Sequence, residues 1–212
     1  MSDFMKLMPT GIESFKTMID KSAYYVDKTN LIVDVLNEQV VLYTRPRRFG
    51  KTLNMSMLYY FFSIKEKENA YLFDHLNISK NKEALKHQNK YPTILISLKE
   101  MKSSSFKAQI ISFSNIIYEL LEKNLEILSS AQLTDTTKKK LNSLHDETTS
   151  IEDLKFSLRV ISNALYTHYH QKVIVLIDEY DVPLDKAFEN NYYNEMIILL
   201  RNMLEQSLKT ND

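Results

Sequence analysis

The sequence predicts an α/β protein built around a parallel β-sheet. Short apolar runs occur at 40–43, 93–98 and 173–177, and continuous runs of this kind are typical of strands buried on both faces. Longer stretches with apolar residues every three or four positions lie between the second and third runs and after the third, and this is the period of a helix. Strands that alternate with helices indicate parallel strands joined by helical crossovers.

The elements before residue 100 follow from short-range signals. Asp27 is a plausible helix cap, because the residues after it place their apolar side chains on one face. The elements expected here are a helix at 27–38, a strand at 40–43, a helix beginning near Gly50, one or two surface helices at 65–90, and a strand at 93–98 after Pro92.

The second half of the sequence predicts a large helical segment, followed by the strand with the most distinct apolar run. Ser150 opens one helix, with Asp153 at the spacing of a capping box. The elements expected here are a helix at 106–128, a polar stretch with a turn at 134–149, a helix from Ser150, a strand at 173–177, and a helix at 192–208.

The composition narrows the class of protein. Of 212 residues, 44% are hydrophobic and 25% are charged, as in globular proteins. The formal net charge is zero, so no overall field attracts nucleic acid or a membrane. The chain has no cysteine, which excludes disulfides and thiolate metal sites, and it shows neither a signal peptide nor a membrane span. A cytoplasmic location is therefore expected.

A candidate phosphate-binding loop, TRPRRFGKT at 44–52, follows the first predicted strand. The general motif is G-x-x-x-x-G-K-[ST] between a strand and a helix. Gly50 would let backbone N–H groups approach the phosphates closely. Lys51 would reach the β- and γ-phosphates, and the Thr52 hydroxyl would bind Mg²⁺. By itself the Gly-Lys-Thr sequence also occurs by chance in proteins that bind no nucleotide.

This loop departs from the motif, because Arg45 stands where the first glycine is expected. Pro46 removes one N–H donor from the loop. Arg47 and Arg48 would replace lost backbone donors with charge-assisted hydrogen bonds to phosphate. The expected nucleotide-binding residues are therefore Arg47, Arg48, Phe49, Gly50, Lys51 and Thr52, although arginines of this kind also occur on solvated surfaces.

A second motif, VIVLIDEYD at 173–181, ends the third predicted strand. Asp178 would contribute to the Mg²⁺ site, and Glu179 would orient the attacking water or accept its proton. The alternative is a solvated acidic turn at the end of a strand. Asp181 would be a further acid near the metal or the cap of the turn at Pro183, and the cap is favoured.

The two motifs together indicate a Mg²⁺–nucleoside triphosphate site, since each ends a buried strand and they follow the usual order. No Asn-Lys-x-Asp motif for guanine occurs, so ATP is the expected nucleotide. The pair His168-x-His170 lies on a predicted helix where i and i+2 face apart, so a structural role is expected for it.

Three stretches of this chain resemble the predicted AAA-ATPase-like family of bacteria. They are YYVDKT at 24–29, TRPRRFGKT at 44–52 and VIVLIDEYDVP at 173–183, with GIESF beginning at Gly11. The resemblance covers essentially the whole chain, which is read as one domain, 1–212. The Arg-Pro opening of the loop then looks like a family trait.

The resemblance implies a three-layer P-loop ATPase with an added strand between its two Walker strands. Lys51 and Thr52 would be the Walker A pair, Asp178 and Glu179 the Walker B pair, and Lys51 and Glu179 the catalytic residues. Thr52 and Asp178 would hold the Mg²⁺. Family members often continue into a PD-(D/E)XK nuclease-like domain, so a role on nucleic acid would come through such a domain.

The implied strand order, 5-1-4-3-2, places a strand that this chain lacks between the strands at 40–43 and 173–177. Both strands would then expose unpaired edges, and we expect marginal stability or self-association into a homo-oligomer, unless the two strands pair directly with each other. The expected function is Mg²⁺-dependent ATP hydrolysis coupled to a conformational change. The alternatives are a nucleotide-binding switch without hydrolysis and, less favoured because no arginine-rich lid is visible, a small-molecule phosphotransferase.

Overall fold

The computed structural model describes residues 7–44, 49–146 and 149–208. The chain divides into two compact units, residues 1–93 and residues 94–212. It is a mixed α/β protein in which helices predominate around a small parallel sheet. No helix within these described ranges is long and apolar enough to cross a membrane.

Unit 1 is helical and has an aromatic core. The ring of Phe73 stacks on Phe15 at 5.1 Å and meets Phe61 edge to face at 5.1 Å between ring centroids. All three side chains are buried, so separate helices are fixed to one another through this cluster. The α-helices are α1 (Phe15–Asp20), α2 (Leu31–Leu36), α3 (Lys51–Phe62) and α4 (Lys82–Leu85), and 3₁₀ helices span Ile64–Phe73 and Asn77–Lys80.

Unit 2 contains the sheet. Strand β1 (Thr93–Ser97), which begins at the last residue of unit 1, pairs in parallel with β2 (Ile174–Asp178), and the N–H of Leu98 donates to the carbonyl of Asp178 at 3.0 Å. The predicted helical segment between these two strands is present. The helices of this unit are α5 (Phe106–Glu122), α6 (Asp135–Leu144), α7 (Ile151–Tyr169), α8 (Val182–Glu189) and α9 (Tyr193–Leu208), with a 3₁₀ turn at Leu125–Ile127.

Helix α7 is the centre of unit 2, because α5, α6 and α9 all pack against it. Its residues Leu154, Leu158 and Ile161 are fully buried. The predicted cap at its start is confirmed, since the Ser150 hydroxyl accepts a hydrogen bond of 3.1 Å from the N–H of Asp153. Helix α7 leads into β2, so its packing fixes where the following strand begins.

The strand predicted at 40–43 is wrong. Residues 40–44 have no regular secondary structure, and the side chains of Val40, Val41 and Leu42 are 59%, 44% and 70% exposed. A buried strand needs a hydrogen-bonded neighbour on its edges, and no described strand pairs with this segment. Of the three predicted strands, the sheet contains the two at 93–98 and 173–177, close to their predicted bounds.

The other helical boundaries also differ from the sequence prediction. Helix α2 begins at Leu31, and Asp27 does not cap it; the residue at the cap position is Asn30, whose side chain makes no capping bond. Residues 65–90 form two 3₁₀ helices and α4, and they bury Leu72 and Ile78 instead of lying only on the surface. Helix α5 ends at Glu122, six residues before the predicted end, where Asn124 and a 3₁₀ turn follow.

Candidate functional site

The glycine of the candidate loop has a backbone conformation that favours glycine. Gly50 is the N-cap of α3 and has φ 76° and ψ 28°, in the left-handed region. A Cβ added to it would meet no atom within 4 Å. The structure therefore requires glycine here for its backbone torsion, because an L-residue in this conformation is strained by about 1–2 kcal/mol. The predicted helix start near Gly50 is confirmed.

Lys51 and Thr52 lie side by side in the first turn of α3, and both are half-buried. Neither side chain makes a hydrogen bond or ion pair with any described residue. The N–H groups of a first helical turn have no acceptor inside the helix and favour an anion. Phe49 is 56% exposed, and Arg47 and Arg48 lie outside the described residues.

The helix that carries this turn is firmly held. Its side chains Met57, Leu58, Phe61 and Phe62 are at most 4% exposed, and it packs against α1 and the 3₁₀ helix Ile64–Phe73. The backbone N–H of Asn54 donates to the carbonyl of Gly50 at 3.0 Å. The position of the loop's carboxyl end is therefore determined by the core of unit 1.

A contact that sequence reasoning missed joins the two ends of the loop. The side-chain amide of Asn54 donates a hydrogen bond of 3.1 Å to the hydroxyl of Tyr43. Asn54 is only 2% exposed, although an asparagine in a helix after Gly-Lys-Thr would be expected to face solvent. Tyr43 lies in a segment without regular secondary structure and Asn54 lies in α3, so no helical or strand period in the sequence predicts this pair.

In unit 2, Asp178 is the last residue of β2 and is 4% exposed. One of its carboxylate oxygens accepts a hydrogen bond of 3.0 Å from the N–H of Glu179. Its backbone carbonyl accepts the 3.0 Å bond from Leu98 described above. The carboxylate is thus held at the carboxyl end of a strand, which is where ligands bind in open α/β sheets.

Glu179 has an unusual backbone for its residue type. Its φ is 54°, in the left-handed region that non-glycine residues seldom adopt, and its side chain is half-buried. Its carbonyl accepts a hydrogen bond of 3.2 Å from the N–H of Val182, which closes the turn into α8. Strained residues of this kind concentrate at functional sites. The turn therefore gives the Glu179 side chain a direction that a helical or extended backbone would not.

The favoured prediction that Asp181 caps the turn at Pro183 is confirmed for its position but not for its side chain. Asp181 occupies the N-cap position of α8 with a helical backbone, and its side chain makes no capping hydrogen bond. Instead its carbonyl accepts the bonds from Leu184 and Asp185, while its Oδ1 atom is buried without a hydrogen-bond partner among the described residues. The helix starts without help from this carboxylate, because Pro183 at its first turn presets the helical torsion.

The residues predicted to hold Mg²⁺ are chemically suited to it. Thr52 offers a hydroxyl oxygen in unit 1, and Asp178 offers a carboxylate in unit 2. Within the described residues, no group of three or more histidine or acidic side chains is arranged to hold a metal. Mg²⁺ in nucleotide sites keeps several waters and takes one or two protein oxygens together with substrate phosphates.

An apolar cavity of about 330 Å³ lies beside the Glu179 turn within unit 2. Tyr180, Leu184 and Leu98 form part of its wall, and one face of α9 forms much of the rest. Its lining includes two charged residues, Arg201 and Glu205. The cavity lacks the array of donors that phosphates require, so it is distinct in chemistry from the predicted phosphate site.

Comparison with known proteins assigns the chain to a family. The family model described as predicted AAA-ATPase matches residues 9–212, which is nearly all of the sequence. The chain therefore belongs to the predicted AAA-ATPase family, and the resemblance seen in its motifs is confirmed. Neither the curated proteins nor the solved structures contain a match to it.

Proposed function

We propose that this protein binds Mg²⁺–ATP and hydrolyses it, and that hydrolysis drives a conformational change. The observation that carries the proposal is the start of α3, where Gly50 turns the chain and presents Lys51 and Thr52 in the first helical turn. Membership of the predicted AAA-ATPase family supports a nucleotide as the ligand.

The loop residues would act on the phosphates. Lys51 would neutralise charge on the β- and γ-phosphates, and the free N–H groups at the start of α3 would donate to phosphate oxygens. Arg47 and Arg48 would add charge-assisted hydrogen bonds in place of the donors lost at Arg45 and Pro46. We propose that Phe49, the apolar residue of the loop, contacts the nucleotide together with its neighbours.

The acidic pair would provide the hydrolytic chemistry. When bound, Mg²⁺ supplies charge neutralisation between the phosphates, and Thr52 and Asp178 are the residues proposed to hold it. Glu179 would accept the proton of the attacking water or orient that water, for which a half-buried carboxylate directly after a strand is suited. The assignment of both motifs to one nucleotide is supported by their order in the sequence and by the family.

Two further parts of the proposal concern architecture and partners. We infer that residues 1–212 adopt a three-layer P-loop fold whose sheet has one strand more than the described strands. We also infer that the protein acts on nucleic acid through a nuclease-like domain. The exposed apolar side chains of Val40, Val41 and Leu42 support self-association. Sedimentation velocity over a range of concentrations tests this, and a strictly monomeric protein would contradict it.

The proposed function is tested by calorimetric titration of Mg²⁺–ATP into the wild type and Lys51→Ala. We expect binding by the wild type and its loss in the variant, because the lysine contributes a full charge at the phosphates. Lys82→Ala, which removes an exposed lysine from α4 of the same unit, is the matched control and should bind normally. A folded wild type that binds no Mg²⁺–ATP, or a Lys51→Ala variant that binds as the wild type does, would overturn the proposal.

The alternative is a switch that binds ATP without hydrolysing it. The carboxylate of Glu179 favours hydrolysis, because it is half-buried directly after Asp178 at the carboxyl end of β2, where it could accept the proton of an attacking water. Release of phosphate from bound ATP, measured in single turnover, decides between them. Label transferred to an acceptor other than water would indicate a phosphotransferase instead.

A further inference from the structure

We propose that Tyr43 and Asn54 form a clip, a side-chain hydrogen bond that closes the phosphate loop and positions it for Mg²⁺–ATP. The inference rests on the proposed function, because it concerns the same loop. The amide of Asn54 donates to the hydroxyl of Tyr43 at 3.1 Å. Tyr43 is the residue before the loop and Asn54 lies in the first turn of α3, so the bond spans the intervening residues 44–53.

The amino end of the loop needs such a fixed point. Residues 40–44 form no strand, and the side chains of Val40 and Leu42 are mostly exposed. In a loop that follows a strand, the hydrogen bonds of the sheet hold the first residue in place. Here no described strand pairs with this segment. The bond from Asn54 to Tyr43 therefore helps to hold the amino end of the loop in place.

Asn54 is a rigid anchor. Its side chain is 2% exposed, and its backbone N–H is bonded to the carbonyl of Gly50 at 3.0 Å. Met57 and Phe61, one and two turns further along α3, are fully buried in the core of unit 1. A buried amide is normally hydrogen-bonded, so a loop that releases Tyr43 would leave Asn54 without this partner.

The clip would raise affinity by ordering the loop before the nucleotide arrives. A loop with both ends fixed loses less conformational entropy on binding than a loop with one free end. The contribution of one neutral hydrogen bond corresponds to about a fivefold change in Kd. We therefore assign Tyr43 and Asn54 as positioning residues, which act on the nucleotide through the loop.

The test compares Tyr43→Phe with Tyr25→Phe, since each variant removes one hydroxyl that contacts α3. The Tyr25 hydroxyl lies 3.5 Å from the Sδ atom of Met57, about one turn beyond Asn54 along α3. We expect Tyr43→Phe to raise the Kd for Mg²⁺–ATP, and the KM for its hydrolysis, about fivefold with little change in kcat. Tyr25→Phe should leave Kd and KM unchanged, whatever its effect on Tm.

Two further measurements separate the clip from general loosening. In a double-mutant cycle with Asn54→Leu, Tyr43→Phe should weaken binding less than it does in the wild type, because the bond between the two side chains is already absent. Without nucleotide, Tyr43→Phe should speed hydrogen exchange in the loop and the first turn of α3, and Tyr25→Phe should not.

The outcomes are distinct. If the wild type binds Mg²⁺–ATP and Tyr43→Phe binds equally well, the clip is overturned while the proposed function stands. Equal weakening by Tyr25→Phe would also overturn the clip, because the effect would then be a general loosening of α3. A wild type that binds no nucleotide would overturn the proposed function and the clip with it.

Discussion

The hydroxyl of Thr29 donates a hydrogen bond of 2.6 Å to one carboxylate oxygen of Asp27. The other carboxylate oxygen accepts a bond of 2.6 Å from the N–H of Asn77, and the Thr29 oxygen accepts one of 3.2 Å from the N–H of Ile78. Thr29 is fully buried. The Asp-Lys-Thr sequence therefore does not start a helix. Its hydrogen bonds link the segment before α2 to the 3₁₀ helix Asn77–Lys80, and we call this set of bonds a brace.

This brace predicts that Asp27→Ala destabilises the protein by about 1–3 kcal/mol, because the N–H of Asn77 and the Thr29 hydroxyl lose a charged acceptor. Urea denaturation at pH 7 measures the change. Asp74→Ala, which removes an exposed carboxylate from the same unit, is the control and should change stability by less than about 0.5 kcal/mol.

The contribution of Asp27 should also depend on pH. Burial raises the pKa of Asp27, but hydrogen bonds from Thr29 and Asn77 outweigh burial and hold that pKa below its usual value. Since the folded pKa lies below the unfolded value of about 3.9, the stabilisation is present above that value and is lost as pH falls through the folded pKa. The difference between wild type and Asp27→Ala should shrink below about pH 4. A difference that stays constant down to pH 2 would contradict this.

The two glycines of the chain allow a matched comparison. Gly11 has φ 74° and Gly50 has φ 76°, and an added Cβ meets no atom within 4 Å at either position. Gly11→Ala and Gly50→Ala should each destabilise by about 1–2 kcal/mol, since both force an L-residue into the left-handed region. Only Gly50→Ala should also weaken Mg²⁺–ATP binding, because its side chain would face the phosphates.

Thermal unfolding and nucleotide titration of both variants check this comparison. The stability changes should agree within about 0.5 kcal/mol. If Gly11→Ala weakened nucleotide binding as much as Gly50→Ala does, the effect at Gly50 would come from lost stability and not from the phosphate site.

Glu179 allows function to be separated from backbone strain. Glu179→Gln keeps the side-chain length and should reduce hydrolysis at least about 100-fold while leaving binding intact, because the amide cannot accept the proton. Glu179→Gly should also stop hydrolysis, but it should stabilise the protein by about 1 kcal/mol, since φ 54° is free of strain for glycine.

His170→Gly is the control for this prediction. His170 ends α7 with φ 51°, also in the left-handed region, and its side chain is exposed. The His170→Gly variant should gain a similar free energy of unfolding, and its rate of hydrolysis should not change. Single-turnover phosphate release and chemical denaturation give the two readouts, and full hydrolysis by Glu179→Gln would rule out Glu179 as the base.

The hydroxyl of Tyr169 should lose its proton only at high pH, and it should stabilise the folded protein at moderately alkaline pH. Burial and the hydrogen bond of 2.9 Å that it donates to Glu126 raise the pKa of Tyr169 to about 12. Because the folded pKa lies above the unfolded value of about 10, the stabilisation is present below pH 10 and is lost as pH rises through about 12.

Tyr169→Phe tests this, with Tyr166→Phe on the exposed face of the same helix as the control. We expect Tyr169→Phe to be about 1 kcal/mol less stable at pH 8 and to approach the wild type as pH rises. Because burial raises the pKa of Tyr25 to about 12 as well, absorbance titration of Tyr169→Phe should show one tyrosine fewer near pH 12 than the wild type shows. Loss of the same component in Tyr166→Phe would contradict the assignment.

Local signals in the sequence determined several elements correctly. The continuous apolar runs predicted β1 and β2, the spacing of Ser150 and Asp153 predicted the start of α7, and Gly50 predicted the start of α3. These features depend on residues within one turn or one strand, so a short window contains the information. The family membership likewise followed from motifs that are contiguous in the chain.

Contacts between distant residues were decided only by the tertiary structure. Val40 to Leu42 have the composition of a buried strand, but a strand requires a neighbour, and no described strand pairs with them. Asp27 has the residue type of a cap, yet Asn77, fifty residues away, takes up its carboxylate. Asp181 stands before a helix and leaves it uncapped.

The candidate site shows the same division. The sequence predicted four candidate site residues, because phosphate and water chemistry requires particular side chains at fixed spacing. They are Lys51, Thr52, Asp178 and Glu179. The left-handed torsion of Glu179 and the bond between Tyr43 and Asn54 were not readable, since each depends on how the surrounding chain packs. The sequence by itself determined which chemical groups are present, and the tertiary structure decided how they are held, because burial and hydrogen bonding link residues that no local pattern connects.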